Sequence, residues 1–311
     1  MSGYEYILDT EVTVPSGINV ELAIAVAQAN IDLFSSYEAE GETYTLATLA
    51  FLEQSNIFTK VTDILTFLLP PLLERLPTLL KPLPIILSVP STISEHSLLN
   101  WIHNSQYMDY LSHITISHNR GNAFIEECLH SGSEPDAVIC IAIDSLLDDL
   151  DALIEKKKVM CKVNPWGIIP SEGGAGMVLV KKNVVDTLKL SPQSQIVFSQ
   201  FDHDCSDRRG CSRLIRLVSK DFTHLGLIYS DMTNQRSQIE DYGFAIGARS
   251  EVMSHEQEVL LTNEYWGTIG DASGIATLAT INALHPVGEI ATAFLFDQHN
   301  SRGLLVLKKN K

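Results

Sequence analysis

The sequence predicts an α/β fold in which layers of sheet and helix alternate. Along all 311 residues, short segments rich in apolar or β-branched residues alternate with segments whose apolar residues recur at helical spacing, which is the pattern of α/β layers. The segment at 137–143 is apolar throughout, as is typical of a strand in a sheet that is covered on both faces. A hydrophobic content of 45% is sufficient for the large core that such a fold buries.

The first part of the chain supplies most of these signals. Residues 4–15 are rich in Tyr, Ile, Val and Thr and end in Pro-Ser-Gly, which indicates a strand followed by a turn. Asn19 and Ser94 precede apolar stripes at helical spacing, as N-cap residues do. We predict strands at 4–15, 83–89, 113–117, 137–143 and 176–182, and helices at 18–33, 47–69, 72–80, 94–111, 121–131 and 146–154.

The second part of the chain repeats this alternation in outline. A predicted strand at 225–230 is followed directly by Asp231, and a polar loop at 205–210 separates two segments that have the composition of a strand pair. We predict strands at 195–201, 213–218, 225–230, 289–296 and 303–308, and helices at 238–249 and 273–283. The repetition predicts two similar halves, 1–165 and 166–311, packed as one structural unit.

The net charge excludes one large class of function. The formal charge of the chain is −16, whereas proteins that bind nucleic acids present basic surfaces to the phosphates. We therefore predict that the protein has no nucleic-acid partner.

Three patterns predict a cytoplasmic protein without a membrane span. Prolines and the charged residues Glu74, Arg75 and Lys81 interrupt the apolar region at 64–89, whereas a membrane helix needs about 20 mostly apolar residues. The start, Met1-Ser-Gly-Tyr-Glu-Tyr, lacks the basic and apolar stretches of a signal peptide. The five cysteines are odd in number and irregularly spaced, which favours free thiols in a reducing compartment over a disulfide framework.

The sequence predicts neither a metal site nor a cofactor. His203, Cys205 and Cys211 lack the close cysteine pair of a structural zinc site. Gly173 and Gly174 belong to a glycine-rich turn, but the Lys-Ser/Thr that completes a P-loop does not follow it. We interpret these two glycines as positions where the backbone passes close to the floor of a pocket.

Ser117 and His118 form the first pair of candidate catalytic residues. A serine with an adjacent base supports acyl transfer or hydrolysis. Neighbouring residues at a strand end point in different directions, however. The alternative is that Ser117 caps a helix or lies in a structural loop.

Asp231 and Asp271 form the second pair. Asp231 follows a predicted strand, and the carboxyl ends of strands line the functional crevice of layered α/β proteins. Together with Glu264 these residues are the best acidic grouping in the sequence. The alternative is that Asp231 is a structural carboxylate that caps the following helix.

Several short motifs occur in the same order as in a known family of enzymes. They are Leu129-His-Ser-Gly132, Ala142-Ile-Asp-Ser145, Pro170-Ser-Glu-Gly-Gly-Ala175, Thr268-Ile-Gly-Asp-Ala-Ser-Gly-Ile-Ala276 and Gly303-Leu-Leu-Val-Leu307. In this order they resemble the motifs of the β-ketoacyl synthases of the thiolase superfamily. The strand end Tyr229-Ser-Asp231, followed by Glu240-Asp-Tyr-Gly-Phe244, is similar to that of a divergent bacterial branch of synthase-like proteins.

The resemblance implies a thiolase-like duplicated fold with five layers, α-β-α-β-α. It also implies a dimer, formed with a second copy or with another synthase-like subunit, in which strands beside the nucleophile helix pair across a two-fold axis. In an active synthase a cysteine begins that helix, but residues 115–120 contain none. By the resemblance, the first catalytic histidine of the family is missing at the strand end 229–231 and the turn after it, and the second should fall within 269–271, where an acid, Asp271, stands.

These differences remove the groups that condensation requires. Decarboxylative condensation uses a thiolate at a helix N-terminus, where the amide dipoles lower the thiol pKa and hold the oxyanion. It also uses two imidazoles beside the developing enolate, and an ionised Asp271 would repel that charge. We therefore predict a synthase-like protein that lacks the condensing triad and binds an acyl group as acyl-CoA, an acyl carrier protein or a partner synthase. The alternative is an active acyltransferase or hydrolase with a relocated nucleophile such as Ser117.

Overall fold

The computed structural model describes residues 3–29, 31, 33–52, 56–131, 135–249, 251–253 and 259–310. Gly132, the last residue of the motif at 129–132, lies outside the described residues. The strands are β1 (Tyr6–Thr13), β2 (Phe34–Ala39), β3 (Glu42–Ala47), β4 (Leu83–Ser88), β5 (Leu111–Ile116), β6 (Ala137–Ser145), β7 (Glu172–Val180), β8 (Ser194–Asp202), β9 (Leu227–Ser230), β10 (Leu260–Leu261), β11 (Ile290–Phe296) and β12 (Arg302–Lys309).

Three helices begin directly after a side-chain N-cap. Asn19, Asn56 and Ser94 accept hydrogen bonds from backbone N–H groups of the first turns of α1, α2 and α3, as N-cap side chains do. The helices are α1 (Val20–Gln28), α2 (Ile57–Glu74), α3 (Glu95–His103), α4 (Gly121–His130), α5 (Leu150–Glu155), α6 (Lys182–Leu188), α7 (Gly210–Val218), α8 (Arg236–Ala248), α9 (Asn263–Trp266) and α10 (Ser273–Leu284). A short 3-10 turn, Gly270–Ala272, leads directly into α10.

Two sets of strands in the large sheet have the same order. One set runs β1-β7-β6-β4-β5 and the other runs β8-β12-β11-β9-β10, and a short antiparallel contact between β1 and β8 joins them. In each set the two pairs nearest this junction are antiparallel, and the outer pairs are parallel. β7 pairs with β1 and β6 and therefore belongs to the first set of strands. The division of the chain into two halves at residue 165 stays a prediction.

Alternation of side chains along the strands produces five layers. In β6, Val138 and Cys140 face a central core, whereas Ile139 and Ile141 face an outer core. The central core contains α4 and α10 between the two sets of strands. One outer core contains α2 and α3, and the other contains α7 and α8. The predicted α/β class and its α-β-α-β-α layering are therefore confirmed.

The structure corrects the prediction of two helices separated at Pro70 and Pro71. A single helix, α2, runs through both prolines. Four leucines around them are buried, at positions 68, 69, 72 and 73, and at about 1.5 to 3 kcal/mol for each buried side chain they contribute about 6 to 12 kcal/mol. This gain offsets the cost of about 3 kcal/mol for each proline inside a helix.

Two further predictions of secondary structure were wrong. Residues 213–218 belong to α7 and not to a strand, because the buried residues at positions 211, 214, 215 and 218 follow helical spacing. The predicted helix at 47–69 begins too early, because α2 begins at Ile57 and residue 47 ends β3, which forms a separate antiparallel hairpin with β2. Its turn, Glu40-Gly41, has positive φ at both residues, as hairpin turns with glycine commonly do.

Within the described helices, none combines the length and the apolar character that crossing a lipid bilayer requires.

Candidate functional site

The two segments that start the central helices begin in the same unusual way. α4 begins at Gly121 with a φ of 51°, and the turn before α10 begins at Gly270 with a φ of 59°. Both values lie in the left-handed region, which costs glycine much less than residues with a side chain. Each of these glycines faces a carboxylate that comes from the other set of strands.

Asp297, which directly follows β11, caps the start of α4. Its Oδ2 accepts a hydrogen bond from the backbone N–H of Asn122 at 3.2 Å. Its Oδ1 accepts hydrogen bonds from the backbone N–H groups of His299 and Ser301, each at 2.9 Å. A Cβ atom on Gly121 would lie 2.8 Å from the Asp297 Cβ. The Asp297 side chain therefore fills the space that a side chain at the start of α4 would need.

Asp144 caps the turn before α10 in the equivalent way. It lies near the end of β6, which has the same place in the first set of strands as β11 has in the second. Its Oδ2 accepts a hydrogen bond from the backbone N–H of Asp271 at 2.9 Å, and a Cβ atom on Gly270 would lie 2.0 Å from this oxygen. Burial, together with the nearby Asp271 carboxylate, raises the pKa of Asp144 to about 6.

A polar cleft of about 500 Å³ opens beside these two caps. In it, His299 Nε2 lies 3.0 Å from Asp271 Oδ1, and this contact raises the pKa of His299. Arg120, the residue before α4, donates a hydrogen bond to the Ser88 hydroxyl at 3.2 Å. Carboxylates outnumber cationic groups on the walls, so the polar cleft has a negative potential. It is lined by Ile57, Pro90, Ser91, Thr92, Arg120, Asp144, Ser145, Leu146, Asp148, Asp149, Asp271, Gln298 and His299.

Asp231 lies in a smaller cavity of about 140 Å³, which also contains Lys158, Asp297 and Arg302. Asp231 is 4% exposed, and its Oδ1 accepts a hydrogen bond from the backbone N–H of Phe296 at 2.6 Å. Burial raises the pKa of Asp231 to about 7. The predicted pair Asp231 and Asp271 is thus divided between this cavity and the polar cleft, and a catalytic role for either residue stays a prediction.

Ser117 and His118 lie before α4 and have different partners. Ser117 is buried, its hydroxyl donates a hydrogen bond to the Glu127 carboxylate, and it accepts one from the backbone N–H of Asn119 at 3.0 Å. His118 is exposed, with Nδ1 at 3.7 Å from Glu95. Ser117 therefore stabilises the turn that leads to α4, and catalysis by this pair stays a prediction.

Gly173 and Gly174 lie in β7, where packed protein surrounds them. A Cβ atom on Gly173 would lie 2.6 Å from the Thr13 carbonyl oxygen, and one on Gly174 would lie 2.7 Å from the Ile64 side chain. The two glycines therefore allow β1 and α2 to approach β7 closely. A pocket floor at these two glycines stays a prediction.

The five cysteines are free and buried. Burial raises the pKa of Cys128 and Cys211, and it raises the pKa of Cys205 to about 12. His203 pairs with Glu126 and not with the nearby cysteines. In the described part of the chain, no group of three or more His, Cys, Asp or Glu side chains is arranged to hold a metal ion.

Sequence reasoning missed Asp144, Asp297 and His299 as parts of the site. The available signal was positional, because Asp144 and Asp297 each end an apolar strand whose carboxyl end faces the crevice, as Asp231 does. For His299 the sequence offers only a polar turn between two strands. Its pairing with Asp271 depends on how the turn between β11 and β12 packs against the turn before α10, a tertiary contact that local sequence does not specify.

Comparison with known proteins identifies the fold. No protein-family profile and no curated protein matches the sequence. The AntDE:AntF complex, a type II PKS acyl-carrier protein with its ketosynthase bound to the hexaketide, superposes with a TM-score of 0.76 and 9% identity, over 99% of this chain and 100% of that chain. The ishigamide ketosynthase/chain length factor gives 0.71 and 11%, over 99% and 100%. This chain has the ketosynthase fold.

A single module of a larger synthase has the same ketosynthase fold. The ketosynthase from module 6 of the bacillaene synthase of Bacillus subtilis 168 superposes with a TM-score of 0.72 and 10% identity, over 98% of this chain and 72% of that chain. The resemblance seen in the ordered sequence motifs is therefore confirmed at the level of the ketosynthase fold.

Proposed function

We propose that this protein is a ketosynthase-like subunit that does not condense acyl groups and that binds an acyl chain, its carrier protein or a partner synthase. The observation that carries the proposal is the Asp297 carboxylate at the start of α4. In a condensing enzyme this helix end stabilises a thiolate and then an oxyanion. Here an internal anion already accepts a hydrogen bond from Asn122 N, so a second negative charge at the same place would be repelled.

The nature of the residue at the start of α4 supports the same proposal. Gly121 has no side chain to serve as a nucleophile, and Asp297 occupies the adjacent space. Cys128, the cysteine on α4, is fully buried, and burial raises its pKa. A thiol in that environment stays protonated at neutral pH and is a poor nucleophile.

Incubation of the protein with malonyl-CoA and with hexanoyl-CoA tests this proposal. We expect no covalent acyl adduct by intact-protein mass spectrometry and no carbon dioxide release above the uncatalysed rate, because the thiolate and both imidazoles are replaced. A ketosynthase with its cysteine intact is the positive control.

One outcome would replace the proposal with the acyltransferase or hydrolase alternative. It is a stoichiometric adduct that maps to Ser117 and is lost in Ser117→Ala. The hydrogen bond between Ser117 and Glu127 makes this serine the site to map first.

A basic surface beside the site supports a carrier protein as the partner. Lys156, Lys157, Lys158 and Lys162 are exposed in a chain whose net charge is −16, and Trp166, 62% exposed, lies in the same segment. Lys158 also lines the cavity that contains Asp231. We name 156–166 the basic segment. Such a surface attracts an acidic protein at the mouth of the site.

Charge reversal of the basic segment tests carrier binding. We expect Lys156→Glu/Lys157→Glu/Lys158→Glu to weaken binding of a purified type II acyl carrier protein by about tenfold or more, because each lost contact becomes a repulsion. Surface plasmon resonance at two salt concentrations measures the change. Lys220→Glu, an exposed lysine after α7, is the matched control, and an equal loss in both variants would contradict a carrier site on this segment.

The edge of the large sheet supports a dimer with a second copy or with another synthase-like subunit. Among the described strands, β5 pairs with β4 on one side and lies at the end of the sheet, and an open strand edge is a template for pairing with another chain. The five free cysteines favour a reducing compartment such as the cytoplasm.

A further inference from the structure

A second cavity lies at the opposite end of the strands from the candidate site. Its volume is about 590 Å³, and its walls include Arg75, Asn282 and Lys309. Lys309 ends β12, and its neighbour Lys308 pairs with Ile290 at the start of the antiparallel strand β11. Asp297 follows the other end of β11, so Lys309 and Asp297 lie at opposite ends of these strands. We name this space the rear cavity.

Lys309 is a buried cation that has no acidic partner among the described residues. The residue is 5% exposed, and in the described part of the chain its ammonium group donates only to the backbone carbonyl oxygen of Asn282. Burial lowers the pKa of Lys309 to about 8. Lysine is almost never fully buried unless it is paired, because an isolated buried charge is costly. Two of the three N–H donors of the ammonium group are available for a partner.

The side chain of Asn282, at the same wall, also lacks a hydrogen-bond partner in the described part of the chain. Asn282 is 5% exposed, and neither its Oδ1 nor its Nδ2 makes a hydrogen bond within the described residues. More than nine in ten buried polar groups in proteins are hydrogen-bonded. A donor amide and an unpaired ammonium group therefore lie side by side on one wall of the rear cavity.

Among the other charged side chains on the walls of the rear cavity, Asp9 pairs with Arg75, whereas Glu21 is exposed to solvent. Arg75 donates to the Asp9 carboxylate at 3.1 Å and to the Glu11 carboxylate at 2.5 Å. Gln193 donates to Asp9 at 2.9 Å and accepts from the Thr10 hydroxyl. Arg75 holds the Asp9 and Glu11 carboxylates, and Glu21 is exposed to solvent. None of these carboxylates forms an ion pair with Lys309 among the described residues.

We propose that the rear cavity binds a small molecule with an anionic oxygen, either a carboxylate or a phosphate, which pairs with Lys309 and accepts a hydrogen bond from Asn282. The volume is in the range of small-molecule sites. An anion there supplies the negative counter-charge for the Lys309 ammonium group and a hydrogen-bond acceptor for the Asn282 amide. The proposal involves no residue of the candidate functional site and stands independently of the function proposed above.

To test the proposal, the full chain is titrated with sodium phosphate, sodium acetate and neutral acetamide at constant ionic strength. Calorimetry and thermal unfolding measure the binding of each compound. We expect saturable binding of phosphate or acetate and none of acetamide. Binding of phosphate alone or of acetate alone identifies the preferred class of ligand. Lys309→Met should weaken the binding at least tenfold, while Lys308→Met, which removes the exposed neighbouring charge, should leave it unchanged.

Lys309→Met is expected to fold, because it removes a buried charge that has no acidic partner and keeps an apolar side chain of similar length. Circular dichroism checks this, and Asn282→Leu provides a second variant that should weaken binding. Three results would overturn the proposal: no saturable binding by the wild-type protein, equal affinity in Lys309→Met, or equal affinity for acetamide.

Discussion

Replacement of Arg302 by methionine is expected to lower the free energy of unfolding by about 3 to 5 kcal/mol. The Arg302 Nε donates to Asp241 Oδ2 at 3.0 Å, and the two side chains are 4% and 0% exposed. The substitution leaves the Asp241 carboxylate buried with only Cys211 as a described partner, through its backbone N–H and its thiol. It also removes the guanidinium group from above the Phe296 ring, 4.6 Å from its centre. Urea denaturation followed by circular dichroism measures the change.

Two control variants separate the buried charge from the loss of a salt bridge as such. Arg236 pairs with Glu240 at the surface, with the Arg236 side chain 84% exposed, so Arg236→Met should cost no more than about 1 kcal/mol. The double variant Arg302→Met/Asp241→Leu removes both charges and should recover most of the lost stability. A loss below about 1 kcal/mol in Arg302→Met would show that Asp241 finds another partner or a proton.

The elements that sequence predicted correctly are those in which local pattern and burial agree. The apolar run at 137–143 forms β6, which is buried on both faces, and Ser94 caps α3 as its position indicates. The ordered motifs gave the ketosynthase fold although sequence identity to the solved structures is only 9 to 11%. These features depend on residues that are close together in the chain.

The elements that were missed depend on contacts between distant parts of the chain. α2 continues through Pro70 and Pro71 because buried leucines on both sides of the prolines hold it against the sheet, a tertiary effect that overrides helix propensity. In the candidate site, Asp297 and Gly121 are separated by most of the chain and meet only because α4 lies between the two sets of strands. The sequence indicated that no thiol begins α4, but it did not indicate that the Asp297 side chain occupies the space beside Gly121.

Asp231→Asn is expected to change how stability depends on pH. The pKa of Asp231 is raised to about 7 in the folded protein from its ordinary value of 3.8, so the folded state binds the proton more tightly than the unfolded state. The stabilisation is therefore fully present below about pH 4 and is lost as pH rises to about 7. At 1.36 kcal/mol for each pKa unit, the loss is on the order of 4 kcal/mol. The asparagine keeps an Oδ1 acceptor for Phe296 N but does not titrate, so this pH dependence should be absent from the variant.

Free energies of unfolding from urea denaturation at pH 5 and pH 8 for wild type and Asp231→Asn provide the measurement. The difference between the two proteins isolates Asp231, because Asp144 and His299, whose pKa values are also raised, contribute to both. The variant should gain stability relative to wild type on going from pH 5 to pH 8. Asp207→Asn is the control that should show no difference from wild type between pH 5 and pH 8, since Arg213 lowers the pKa of that exposed carboxyl below 3.8 and its stabilisation is lost only at more acidic pH. An equal change in the free energy of unfolding between pH 5 and pH 8 for wild type and Asp231→Asn would mean that Asp231 is ionised in the folded protein. Water or a cation would then reach it through the cavity that it shares with Lys158.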